Sequence, residues 1–93
     1  MANLGNGYGA IIIEDGVAIG IHRGQEIGRL PIPMTSTDAK MMIALCLTDD
    51  GREMPGETAK MFILQNMCGW TFRAGLWYRP TSSRGYTKEQ ALS

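Results

Sequence analysis

The 93-residue chain carries no surplus of charge: nine basic residues cancel nine acidic ones. A neutral chain exerts no global attraction on duplex nucleic acid or on an anionic membrane. It has one histidine, His22, and two cysteines, Cys46 and Cys68, neither in a CxxC pair. That is too few ligands for a zinc site, and neither a metal nor a cofactor is expected. The longest apolar runs, Met41–Leu47 and Met61–Leu64, fall far short of the roughly 20 residues that cross a bilayer. The opening MANLGNGYG shows no basic stretch ahead of an apolar one, so no secretory signal is read and the expected location is cytoplasmic. Each cysteine lies in an apolar run, the setting of a free buried thiol. No internal repeat or low-complexity tract is present.

What is there suits one small folded domain. At this length roughly 60–65% of the unfolded surface can be buried, enough for one modest core. A limited core makes a homo-oligomer the expected supplement. Residues 1–60 hold eight acids and five bases, net −3; residues 61–93 hold four bases and one acid, net +3. This asymmetry is the main compositional signal.

Residues 1–9 hold three glycines and two asparagines and read as a flexible arm. Ala10 to His22 holds two β-branched runs around Asp15-Gly16, the signature of a tight hairpin. In its second strand, Val17, Ile19 and Ile21 are expected to face the core, with Ala18, Gly20 and His22 on the thinner side. Arg23–Leu30 reads as a turn plus a short extended piece, and Pro31 and Pro33 favour an extended edge segment. Thr35-Ser36-Thr37-Asp38 is a helix-start cluster. Ala39–Leu47, apolar except for Lys40, is expected as a helix buried on nearly every side. Thr58–Met67 reads as a second helix, with Ala59, Phe62, Ile63 and Met67 near helical spacing and a stop at Cys68-Gly69. Two strands over residues 41–65 fit the same short apolar runs, but methionine, alanine and leucine favour helix. Trp70–Arg73 and Leu76–Arg79 suggest a second hairpin around Ala74-Gly75. Residues 81–93 read as a tail in which Thr87-Lys88-Glu89-Gln90 matches a capping box and starts a short helix. The expected architecture is therefore α+β: one domain over residues 10–80, with two short helices packed on one face of an antiparallel sheet of two hairpins.

Five of the seven aromatic residues lie between 70 and 86, interleaved with arginines. Aromatic faces stack on bases, and arginine forks pair with phosphates. Arg73, Trp77, Arg79, Arg84 and Tyr86 are the candidate ligand-binding residues. Filling the core of a small domain is the competing role for these aromatics. The acidic group Asp49, Asp50, Glu53 and Glu57 lacks calcium-loop spacing and reads as a solvated turn. Gly5-Asn6-Gly7-Tyr8-Gly9 faintly resembles a phosphate loop but precedes a strand and lacks the lysine. The seven methionines read as core filling, or as a helical face that meets a partner.

No catalytic set is signalled. The expected function is a non-enzymatic binding or inhibitor protein that sequesters or blocks a protein partner or a nucleotide-like ligand. Inhibitors carried by phages and mobile elements share this size class. A structural or assembly subunit is the alternative, and a small hydrolase using His22 with Glu14 or Asp15 is a third.

Overall fold

The computed structural model describes residues 2–49 and 56–92. The fold is α+β and comprises, among the described residues, a four-stranded antiparallel sheet, a separate three-stranded sheet and three helices. The first sheet is a meander in chain order: β1 (Ala2–Gly5), β2 (Gly9–Glu14), β3 (Val17–His22) and β4 (Gln25–Pro31). The second joins β5 (Thr71–Arg73), β6 (Leu76–Tyr78) and β7 (Gly85–Tyr86). The two sequence-predicted hairpins thus belong to different sheets, because each recruits its own neighbours in sequence.

One local device builds both sheets. Asp15-Gly16, Arg23-Gly24 and Ala74-Gly75 are two-residue turns with positive φ at both positions. Each joins directly paired strand ends: Glu14 with Val17, His22 with Gln25, Arg73 with Leu76. Such turns match the natural twist of the flanking strands. Only the Asp-Gly pair has the side chain that advertises this turn, so β4 is longer than the short extended piece expected. β4 is an edge strand, exposed throughout and ended by Pro31.

The first residues are not a free arm. β1 pairs with β2 from Ala2 opposite Ile13 to Gly5 opposite Ala10. The glycine-rich segment is the turn between them. Asn6 Oδ1 accepts from the Tyr8 and Gly9 amides, and its Nδ2 donates to the Leu47 carbonyl. The asparagine therefore both closes the turn and ties it to the end of α1, an orderly role rather than a phosphate loop.

Helix α1 (Ser36–Leu47) starts where the sequence places it. Thr35 is the N-cap, and its hydroxyl accepts from the Asp38 amide at 3.1 Å. The face of β3 that meets this helix is the reverse of the one expected. Ala18 is fully buried, and a Cβ on Gly20 would fall 2.7 Å from Cys46 Sγ. Val17, Ile19 and Ile21 lie on the other face and are only half-buried. Small residues let the helix settle close to the sheet, and Ile11 on β2 fills the remaining space at zero exposure. The helix also keeps one open side: Met41 and Leu45 are 56% and 54% exposed, so α1 is not buried all round.

Helix α2 (Glu57–Phe62) runs on into a π-helical segment, Ile63–Met67. Ala59, Phe62, Ile63 and Met67 are buried as their spacing predicts. The strand alternative for this region does not form. The Thr87 hydroxyl accepts from the Gln90 amide and Gln90 Oε1 accepts from the Thr87 amide, a reciprocal cap that opens α3 (Lys88–Leu92). Among the described residues, no helix is long and apolar enough to cross a membrane.

Candidate functional site

The second sheet sorts the five candidate residues. Cross-strand pairs put Phe72, Trp77 and Tyr86 on one face, and Arg73, Leu76 and Tyr78 on the other. Trp77 is 6% exposed and lies 4.9 Å from the Phe72 ring. Its faces are taken by the fold, so Trp77 is a core residue and not a stacking platform. Arg73 is on the opposite face, where its guanidinium lies 4.1 Å from the centre of the Tyr78 ring. Neither contributes to the cluster formed by the other three.

Arg79, Arg84 and Tyr86 do come together, around a residue outside the candidate set, Trp70. The Trp70 and Tyr86 rings are 5.6 Å apart and tilted by 53°. The Arg79 guanidinium sits 5.5 Å from the Trp70 ring and 5.3 Å from that of Tyr86, while Arg84 lies 4.9 Å from Tyr86. Trp70 is fixed by local backbone chemistry. Gly69, at φ +73°, turns the chain out of the π-helical segment, and the Trp70 amide donates to the Leu64 carbonyl at 2.9 Å. Tyr86 is held by β7, a strand the sequence does not signal because it is only two residues long.

Two cavities meet at this cluster and share Ser36, Cys68, Trp70 and Arg79. The larger, about 760 Å³, runs past Pro31, Pro33 and Pro80 and carries Asp38 as well as Arg79. The smaller, about 320 Å³, lies between α1, α2 and α3 and adds Lys40, Lys60 and Tyr86. Its charged lining among the described residues is Lys40, Lys60 and Arg79, with no carboxylate. The two lysines were invisible as site residues because they stand 30 and 10 positions before Trp70, inside the acidic part of the chain. The one available signal was that Lys40 is the only charge within Ala39–Leu47.

Comparison with known families, with curated proteins and with solved structures gave no match.

Several of the other titratable groups have structural partners. His22 Nδ1 donates to the Cys46 carbonyl at 3.0 Å, tying β3 to α1. Glu14 faces Val17, five positions along β3 from His22, or about 16 Å at the usual strand rise. The hairpin therefore does not pair His22 with Glu14 or with Asp15 in the adjoining turn. Both cysteines are free and buried, and burial raises the pKa of each thiol. Asp49 pairs with Arg23 and Glu57 with Lys88, while Asp50 and Glu53 lie outside the described residues. Among the described residues no cluster of three or more metal-ligating side chains occurs.

Proposed function

We propose that the protein is a non-enzymatic binding protein that sequesters a planar, anionic, nucleotide-like ligand at the Trp70–Arg79–Tyr86 cluster. One observation carries this reading. Two aromatic rings and a guanidinium converge on a cavity whose charged lining, among the described residues, is wholly cationic. Aromatic and guanidinium planes stack on heterocycles with little regard to their identity, and the cations supply the attraction for an anion. Arg84 reinforces Tyr86 from its other neighbours, and Arg73 and Trp77 play no part in contact.

Tryptophan fluorescence during titration with 5′-AMP tests the reading. Trp70 borders the cavity and Trp77 is buried, so a saturable change is expected in the native protein and its loss in Trp70→Phe. Arg79→Ala is expected to weaken binding by about tenfold or more, as removal of a charged hydrogen-bonding or stacking partner does. A flat titration in the native protein overturns the proposal.

A second reading, an assembly subunit that pairs with another copy of itself, is favoured by a different surface. Ile27, Leu30, Met41 and Leu45 are all exposed and border one groove between β4 and α1. Asp38 borders the same groove beside Arg29, whose guanidinium is held by Glu26 within the chain, so the apolar side chains carry this reading. Light scattering on Met41→Glu and Leu45→Glu variants tests it: a native dimer that becomes monomeric supports this reading, and a monomeric native protein removes it.

A further inference from the structure

Resting on the binding reading above, we propose that Lys40 and Lys60 form a phosphate site, so that the ligand is a single nucleotide held by its phosphate and its base, not a strand of nucleic acid.

The two lysines come from different elements. Lys40 lies in the second turn of α1 and Lys60 in α2, and the fold sets both on one cavity with Arg79. Ile63 and Leu64 provide apolar wall there, along which lysine stems can lie while the ammonium groups reach out. A lysine is a compact point charge with three donors, suited to phosphate oxygens of any orientation.

The surroundings compensate this charge only in part, through a coulombic attraction between Lys60 and Glu57 that is secondary to the Lys88–Glu57 pair. Neither lysine has a carboxylate within ion-pairing distance among the described residues. The nearest acid on α2, Glu57, is engaged by Lys88. The Cys68 thiol on the cavity wall has its pKa raised by burial, only partly offset by Lys40, so it stays neutral at pH 7 and adds no negative charge. All three cations border one concavity, so a single anion there can be attracted by each of them. The aromatic pair beside them meets a ring, so phosphate and ring in one ligand satisfy the whole lining.

Size and charge set the ligand's extent. About 320 Å³ is at the small end of the range for small-molecule pockets. An oligonucleotide needs a basic track that follows its backbone. Among the described residues the adjoining groove supplies none: beyond the shared Arg79 its only charged lining is Asp38.

Calorimetric titration with 5′-AMP, adenosine, inorganic phosphate and an oligo-dA strand tests the assignment on the native chain and on Lys40→Gln, Lys60→Gln and the double variant. Glutamine keeps helix propensity, and far-UV circular dichroism and melting temperature confirm that each variant folds. The expected result is AMP binding that weakens by about tenfold for each lysine removed, the value of one charge-assisted hydrogen bond, with adenosine weak throughout and unaffected. Unchanged AMP affinity in a folded double variant overturns the phosphate site while leaving the aromatic reading in place. Phosphate binding as tightly as AMP, with the same lysine dependence, keeps the lysine site but overturns the nucleotide assignment and the aromatic reading with it. Tighter binding of oligo-dA than of AMP overturns the single-nucleotide assignment. No binding by any of the four overturns both proposals.

Discussion

Gly20 and Cys46 touch across the interface between sheet and helix, so closely that a single added methyl at position 20 would lie 2.7 Å from the sulfur. The Met42 methyl would be 3.2 Å away on the same side. Gly20→Val is therefore expected to destabilise the fold by about 1–3 kcal/mol through overpacking. For a domain of this size each kcal/mol lowers the melting temperature by about 4–8 °C. Thermal denaturation reads the loss. Cys46→Ala in the same chain makes room for Gly20→Ala, so the double variant is expected to be more stable than the sum of the single changes predicts.

The turn at Ala74-Gly75 invites the opposite kind of change. Ala74 sits at φ +50°, a region where a β-carbon is strained and asparagine is better tolerated. Ala74→Asn is expected to stabilise the protein by about 0.5–1 kcal/mol. A urea midpoint unchanged or lowered in that variant would show that the turn carries no such strain.

Two residues two positions from each other in the sequence-predicted site part company. Trp77→Ala is expected to cost about 3–5 kcal/mol, the usual price of deleting a buried aromatic. Total stability for such domains is only about 5–15 kcal/mol, so this variant loses a large share of it. Arg79→Ala removes contacts between a guanidinium and two rings, worth about 0.5–2 kcal/mol, and leaves a folded chain. Equal melting temperatures for the two variants would contradict the placement of Trp77 in the core.

The buried thiols give the protein an alkaline weakness. Burial raises the pKa of Cys46 and of Cys68 above the unfolded thiol value of about 8.5. Between the unfolded and native values the native chain holds more protons than the unfolded one. Stability from these groups is thus complete below about pH 8.5 and is lost as pH rises through the native values. Urea midpoints measured across that range are expected to fall, with a shallower fall in Cys46→Ala and Cys68→Ala. Both thiols should also resist a disulfide reagent until denaturant is added.

The sequence was legible wherever one residue type dictates one conformation. Asp15-Gly16 announces its turn, Thr35 its cap, and Thr87 with Gln90 its reciprocal cap. It was misleading where bulk was taken as a guide to burial. β3 turns its glycine and alanine inward because α1 approaches there, a tertiary demand that alternation cannot reveal. The same limit applies to the candidate site. The aromatic and arginine cluster was visible as composition, yet which members touch depends on β7, and the lysines arrive from helices that only the tertiary fold brings near.

Within each sheet, every strand pairs only with its neighbours in sequence. For the first sheet this has a consequence for biosynthesis. All four of its strands lie within residues 2–31, and α1, the helix that covers its inner face, is the next element to leave the ribosome. Short-range closures of this sort form rapidly and at little entropic cost. The order of synthesis is thus also an order in which each element finds its partner already made, and the aromatic cluster, built last, docks onto a finished base.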